Sequence, residues 1–165
     1  MEKWNELCFI LSESIPFNAS EQVFEMKVIQ AFEKLGWSHF KGEISVRENI
    51  QLGASNRIMP DIIIKSDNTN LFVVEVKNPA ANLKNPSYQN QLSSYMRMLR
   101  LNFGILIGNE IKIFVDGSLV DSNQSELVES ISFKKDNPQG LKFINLFQKD
   151  TFRYENVENY IQNKI

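Results

Sequence analysis

The 165-residue chain is 42% hydrophobic and 23% charged, which is ordinary for a soluble globular protein and suits one domain. Its net charge of −2 excludes a global basic field for nucleic acid or membranes, and no apolar run reaches the ~18 residues of a membrane span. A single cysteine (Cys8) and a single histidine (His39) exclude an internal disulfide and a Cys/His zinc cluster, so we expect a reducing, cytoplasmic setting and no signal peptide.

Two helices are predicted at the N-terminus. Residues 3–14 form an amphipathic pattern, and a second helix runs to about Leu35, where Gly36 ends it. Asn18 and Ser20 are both suitable N-caps for this second helix, and the pattern does not choose between them.

Strands and a third helix follow in an order typical of an α/β protein. Strands are predicted at about 43–50, 59–65 and 71–77, a helix from Asn85-Pro86, strands at FGILIG and IKIFVDG, a further strand near 127–133, and helices near 139–148 and 153–163. We therefore predict a single α/β domain over residues 1–165, with a mixed central β-sheet flanked by helices.

The charges are unevenly distributed. Residues 1–36 carry six acids against three basic residues, whereas no acid occurs from Val76 to Asn109. The basic residues of this second segment are Lys77, Lys84, Arg97 and Arg100. If the protein binds nucleic acid, we expect contacts in this segment, and the candidates are Lys84, Tyr95, Arg97 and Arg100. The alternative is that these side chains form an ordinary solvated helix face.

Three ionisable residues lie in two otherwise apolar strands, within the stretch MPDIIIKSDNTNLFVVEVK. A symmetric hairpin that pairs Lys65 with Leu71 also pairs Asp61 with Glu75, and side-chain alternation puts Lys77 on the same face as Glu75. Opposed carboxylates repel each other at this spacing. Oxygen ligands without Cys or His suit a hard cation, so the pattern predicts a Mg²⁺ or Mn²⁺ site.

The second helix supplies a further acid. Glu21 continues the apolar stripe of that helix, so it is expected to face the sheet, whereas Glu25 is expected on the flank. The alternative for Glu21 is a favourable interaction with the helix dipole. We choose Glu21 as the upstream acid and keep Glu25 in reserve.

Gln91 lies one helical turn before Tyr95, on the flank of the third helix. It is either an exposed helical glutamine or a side chain that orients Lys77 or a phosphate group.

Together these residues resemble a known nuclease signature. Pro60-Asp61 and Glu75-Val76-Lys77, followed by a helix with Gln91 and Tyr95, are similar to the PD-(D/E)xK pattern. The runs EQV, LGW, QLSSYMRML and FGILIGNEIKIF most resemble the N-terminal nuclease domain of type I restriction enzyme R subunits. The resemblance covers about residues 18–117 and leaves 118–165 as an appended segment of strand and helices.

The resemblance implies a restriction-endonuclease-like core and a Mg²⁺-dependent DNA endonuclease. In that reading Asp61, Glu75, the Val76 carbonyl and Glu21 hold the metal, and Lys77 positions the attacking water or stabilises charge on the phosphate. Gln91 completes the implied catalytic set. Related subunits act with a DNA-translocating motor and with specificity and methylation subunits, and no G-x-x-x-x-G-K-[ST] motor loop occurs in this sequence.

The sequence is also compatible with two other functions. The fold can serve as a non-catalytic nucleic-acid-binding or assembly module, or the acids can hold a structural ion without turnover. Intact Asp61, Glu75 and Lys77 favour the nuclease.

Overall fold

The helices and strands follow the predicted order closely. The computed structural model describes residues 1–117 and 124–164, so part of the predicted C-terminal extension (118–123 and 165) lies outside the described residues. The helices are α1 (Glu2–Cys8, continued by a π-helical segment, Phe9–Glu13), α2 (Glu21–Lys34), α3 (Pro86–Leu99), α4 (Pro138–Phe147) and α5 (Tyr154–Lys164). The strands are β1 (Ile44–Val46), β2 (Ile50–Gln51), β3 (Arg57–Ile58), β4 (Ile62–Ser66), β5 (Thr69–Val76), β6 (Phe103–Ile107), β7 (Glu110–Val115) and β8 (Glu126–Ser132).

Side-chain caps fix the starts of three helices. Ser20, not Asn18, caps α2 by accepting a hydrogen bond from the Val23 N–H at 3.2 Å. Asn85 and Asn137 cap α3 and α4 in the same way, each before a proline in the first turn. A proline there costs no hydrogen bond, because the first N–H groups of a helix have no partner within it.

Six strands form one mixed sheet in the order β1-β4-β5-β6-β7-β8. β5 and β6 run parallel and are joined by α3, while the other neighbours in this sheet are antiparallel. The predicted fold class, α/β with a mixed central sheet flanked by helices, is confirmed. The strand near 127–133 and both C-terminal helices are also present.

The β4–β5 hairpin has the predicted register near its open end but not near its turn. Ile62 pairs with Val74 and Ile64 with Phe72, as the symmetric register requires. A β-bulge follows, and Lys65 pairs with Asn70, so the predicted Lys65–Leu71 pairing is wrong. The reason is the turn: Asp67 and Asn68 have φ of +51° and +64°, which makes a tight two-residue connection.

The predicted strand at 43–50 is shorter than expected. β1 ends at Val46 because Arg47 takes a left-handed backbone conformation with φ +48°. The chain then forms a small separate hairpin, β2–β3, which pairs Ile50 with Ile58 and Gln51 with Arg57. That hairpin was not predicted, since two-residue strands are too short to show an alternating pattern.

The two faces of the large sheet are covered differently. One face carries a large core that takes in residues from α1, α2, α4 and α5, with Phe72 among the rings of Trp37, Phe103 and Phe147. The other face carries a small core beneath α3, made by Val73, Leu83, Leu92, Met96, Leu101, Leu106 and Phe114. The candidate site lies on the α3 side, at the end of β5.

In the part of the chain that the structure describes, no helix is both long enough and apolar enough to cross a lipid bilayer.

Candidate active site

Asp61 and Glu75 are in direct contact across the β4–β5 hairpin. The Asp61 N–H donates to Oε1 of Glu75 at 3.1 Å, and Oδ2 of Asp61 accepts from the Val76 N–H at 2.8 Å. Each carboxylate thus takes the place of a backbone acceptor at the point where β4 begins. The hydrogen bonds hold both acids at the end of the hairpin and limit how far apart they can move.

The environment of this pair disfavours two negative charges. Glu75 is 3% exposed, and its burial together with the Asp61 charge raises its pKa to about 8. The Asp61 N–H and Lys77 act in the opposite direction. The apo site therefore tends to hold a proton on Glu75 near neutral pH, and a bound cation would relieve the same repulsion.

Lys77 follows Glu75 by two residues and lies at the same site. Its N–H bonds to the Ile107 carbonyl at 2.8 Å, which extends the β5–β6 pairing by one residue. Its Nζ lies 3.8 Å from Oε1 of Glu21 and 4.7 Å from the centre of the Tyr88 ring. The ammonium group is thus held between the start of α2 and the start of α3, and its side chain is 17% exposed.

The burial of the two candidate upstream acids is the reverse of what the sequence predicts. Glu21 was expected on the buried stripe of α2, but its side chain is 49% exposed and pairs with Lys77. Glu25 was expected on the flank, but it is 6% exposed and bonds to the Arg47 guanidinium. Burial raises the pKa of Glu25, Arg47 opposes this, and the Asp61 and Glu21 charges add to the rise. Both acids border the site, one turn of helix apart.

Arg47 was not singled out from the sequence. It lies beside Asp61 at the end of β1, where its N–H donates to the Asp61 carbonyl at 2.9 Å. The β1–β4 register could have placed it there, since Val46 pairs with Ile62. Its bond to Glu25 had no signal in the sequence.

Gln91 reaches the site through Tyr95 and not through Lys77. Its Nε2 donates to the Tyr95 hydroxyl at 3.1 Å, within one face of α3. Burial raises the pKa of Tyr95, and the charges of Glu75 and Asp61 add to this while Gln91 opposes it. The Tyr95 hydroxyl therefore lies within the electrostatic influence of both Glu75 and Asp61.

The basic residues proposed for nucleic-acid contact do not form one patch. Lys84 is exposed just before α3, and Arg97 and Arg100 are exposed at its other end, about 20 Å along a helix of this length. Arg97 lines a polar groove with Gln89 and Ser93 on the side of α3 away from Tyr95. Among these candidates, Lys84 is the closest to Lys77 in sequence. Arg97 lies on a different side of α3, in the polar groove.

The acids can hold one hard cation, but not as a closed protein cage. Within residues 1–117 and 124–164, no three Asp, Glu, His or Cys side chains are grouped as a metal centre. Mg²⁺ is commonly held by one or two carboxylates, with water and phosphate completing its shell. The Asp61–Glu75 pair fits that mode, and Val76 adds a backbone carbonyl on the same strand end.

Neither Cys8 nor His39 contributes to this site. Cys8 is buried in the large core, and burial raises its pKa to about 11, so its reactive thiolate is disfavoured. His39 is exposed in the turn before β1. An open cleft of about 780 Å³ beside α1 also lies apart from Asp61 and Glu75.

The chain is similar to one known protein family. A family described as the type I restriction enzyme R protein N terminus matches residues 26–132, which is well over half of the chain. The match reaches β8, beyond the resembling region predicted from the sequence, and it begins after both Glu21 and Glu25. No curated protein and no solved structure gives a significant match to the chain.

Proposed function

Since the chain belongs to the family of type I restriction enzyme R protein N termini, we propose that it is a Mg²⁺-dependent DNA endonuclease of the PD-(D/E)xK type. The proposal includes one nuclease domain over residues 1–165, DNA as substrate, and a restriction complex with motor and specificity or methylation subunits as its setting. Family membership supports the restriction setting, and the site geometry supports the reaction.

The observation that carries the proposal is the contact between Asp61 and Glu75. Burial and then the charge of Asp61 raise the pKa of Glu75, so an ionised carboxylate at this position contributes no stability to the fold. Ionisable groups with strongly shifted pKa values are concentrated at functional sites, because catalysis requires charged groups in positions where they destabilise the fold. Asp61 and Glu75, with Lys77 two residues on, are therefore better explained by a reaction than by the fold.

Asp61 and Glu75 would hold the metal ion, with the Val76 carbonyl and Glu21, directly or through water, as additional ligands. When bound, Mg²⁺ or Mn²⁺ would make water a stronger nucleophile at neutral pH and offset the negative charge that develops on the phosphate. Glu75 must release its proton for this, and Lys77 favours that release by stabilising the carboxylate.

Lys77 would act on the reacting groups directly. Its Nζ lies 3.8 Å from Glu21 and over the Tyr88 ring, and its positive charge acts on the Glu75 carboxylate. A positioned ammonium group can orient the attacking water or stabilise charge on the phosphate. Gln91 would act through Tyr95, whose hydroxyl it holds beside the acids.

DNA would approach from the α3 side. Lys84 is exposed before α3 and Arg100 is exposed after it, in the segment from Val76 to Asn109 whose sequence contains no acid. Lysine and arginine contacts to phosphates position DNA without reading its sequence, which fits an enzyme whose specificity lies in another subunit.

The test is cleavage of supercoiled plasmid by the assembled R subunit with Mg²⁺, Mn²⁺, Ca²⁺ or EDTA, comparing wild type with Asp61→Asn and Glu75→Gln. We expect nicking with Mg²⁺ or Mn²⁺ that both substitutions abolish. DNA binding without metal-dependent nicking would instead support the non-catalytic module, and unchanged nicking in both variants would exclude these acids.

A further inference from the structure

We propose that Arg47 forms a phosphate-binding position beside the acid pair, where it contacts the DNA backbone next to the bond that is cut. This inference rests on the proposed function, because it takes DNA as the ligand. It concerns the residue that directly follows β1, a strand outside the Asp61 to Lys77 hairpin.

The first observation is position. β1 pairs with β4 and β4 pairs with β5, so neighbouring residues at the same end of these strands form a row. The Arg47 N–H donates to the Asp61 carbonyl at 2.9 Å, and the Asp61 N–H donates to Oε1 of Glu75 at 3.1 Å. Arg47 directly after β1, Asp61 directly before β4 and Glu75 in β5 thus lie side by side at the same end of three adjacent strands.

The second observation is backbone conformation. Arg47 has φ +48°, a region that side chains with a Cβ rarely adopt outside turns with Asn, Asp or Gly. This conformation ends β1 and directs the chain into the β2–β3 hairpin. Disfavoured backbone conformations occur preferentially at ligand-binding and active sites.

The third observation is that Glu25 holds one part of the guanidinium and leaves the rest accessible. Nη1 of Arg47 bonds to Oε1 of Glu25, which is 6% exposed, whereas the Arg47 side chain is 50% exposed. A guanidinium has five N–H donors in a planar fork, so a single anchor leaves donors for an oxyanion. Phosphate oxygens are the matching ligand, because the fork can bind two of them at once.

A purely structural role for Arg47 would be neutralisation of the buried Glu25 carboxylate. Loss of Arg47 would then leave that charge unpaired and destabilise the fold without a direct effect on DNA. The two roles differ in one measurable quantity. A phosphate contact contributes roughly 0.9 to the slope of log K against log salt concentration, whereas an internal ion pair contributes nothing.

The experiment is titration of a short fluorescein-labelled DNA duplex with the full 165-residue chain, in Ca²⁺ buffer, over a series of KCl concentrations. Arg47→Ala should weaken binding about tenfold or more and reduce the salt slope by roughly 1. Arg47→Lys should retain the slope, since it keeps the charge. Arg47→Ala with Glu25→Gln removes both members of the pair, so it keeps the test valid if the single variant unfolds.

Lys34→Ala is the matched control. Lys34 is 53% exposed and paired with Glu6 at 3.5 Å, at the far end of α2, so its loss removes the same charge away from the site. We expect its salt slope to equal that of wild type. Two results would overturn the role of Arg47 without affecting the proposed DNA site. One is a wild-type salt slope in the folded double variant, and the other is an equal loss of DNA affinity in Lys34→Ala. A wild-type chain that does not bind the duplex would overturn both this inference and the proposed DNA site.

Discussion

Asp61 donates its backbone N–H to the carboxylate of Glu75 at 3.1 Å, and the Asp61 carboxylate accepts the N–H of Val76, the next residue of β5. This reciprocal arrangement replaces regular strand pairing at the end of the hairpin. It also means that each acid helps to hold the other in place while their charges repel. Substitutions of the two acids separate these two effects.

Asp61→Asn should weaken Mg²⁺ or Mn²⁺ binding by about 100-fold while leaving the fold intact. Asparagine keeps an oxygen that can accept the Val76 N–H, but it removes the charge that a hard cation requires. The apo protein should melt at the same or a higher temperature, because one of two repelling charges is lost. Isothermal titration calorimetry and thermal melts measure both effects.

Asp67→Asn is the control for that variant. It makes the same chemical change at the exposed turn of the same hairpin, where asparagine also tolerates φ +51°. Its metal affinity should equal that of wild type. Unaltered metal affinity in Asp61→Asn would remove this residue from the metal site.

Glu75 should make the apo protein less stable as the pH rises. Its folded pKa is about 8 against an ordinary value of 4.5, so below about 4.5 the group is protonated in both states and has no effect. Between these values the unfolded chain loses the proton first, and the free energy of unfolding falls until about pH 8. Glu75→Gln should lack this component in melts recorded across the range.

Metal binding should release the proton that Glu75 carries in the apo protein. Below about pH 8, the ion must displace a proton from Glu75, so affinity should rise with pH and protons should be released. Calorimetry in buffers of different ionisation enthalpy counts them. Proton release that persists at the same level in Glu75→Gln would show that another group carries the proton.

Lys77→Ala should reduce cleavage by about 100-fold or more in the assembled R subunit, while metal still binds the isolated chain. If Lys77 only balances the two acids, the variant should instead be less stable without metal, and Mg²⁺ should restore most of that stability. Plasmid nicking rates and melts with and without Mg²⁺ distinguish the two results. Lys34→Ala, an exposed lysine at the C-terminal end of α2, is the control for charge loss.

Glu21→Gln and Glu25→Gln should have different effects although the residues are one turn apart. We expect Glu21→Gln to lower metal affinity by about tenfold, because Glu21 shares the site with Lys77. Glu25→Gln should leave metal affinity close to wild type and mainly alter the Arg47 side chain. Parallel calorimetric titrations measure this, and a larger loss in Glu25→Gln would make Glu25 the upstream acid.

Gly140→Ala should destabilise the fold by about 3 kcal/mol, at the upper end of the usual cost of overpacking. A Cβ at this position would lie 2.0 Å from the ring of Trp4, a fully buried residue of α1. Chemical denaturation measures the loss. Leu141→Ala, a partly exposed neighbour on α4, should cost much less, and equal losses would contradict the packing argument.

The central part of the site could be predicted from the sequence because strand pairing follows a simple rule. Once the hairpin was recognised, the numbering that pairs Ile62 with Val74 also placed Asp61 beside Glu75. The α3 cap at Asn85 likewise depends on short-range spacing, whereas the hydrogen bond from Gln91 to Tyr95 was not predicted.

The surroundings of the site could not be predicted for a physical reason. Helical periodicity placed Glu21 inside and Glu25 outside, but periodicity does not include a partner from another element. Arg47 is 22 residues away from Glu25, and its left-handed backbone conformation is not a preference of arginine. The Arg47 guanidinium reaches α2 only when the chain is folded, and there its charge stabilises the buried Glu25 carboxylate.

The β-bulge after Ile64 has a consequence for how relatives of this protein can be recognised. It lies between the Asp67-Asn68 turn and the acid pair, so the turn can change length while the register at Asp61 and Glu75 stays the same. The interval of residues between the two acids is therefore free to drift in evolution. A search that requires an offset of fourteen positions from the first acid to the second would miss homologues whose sites are identical in space.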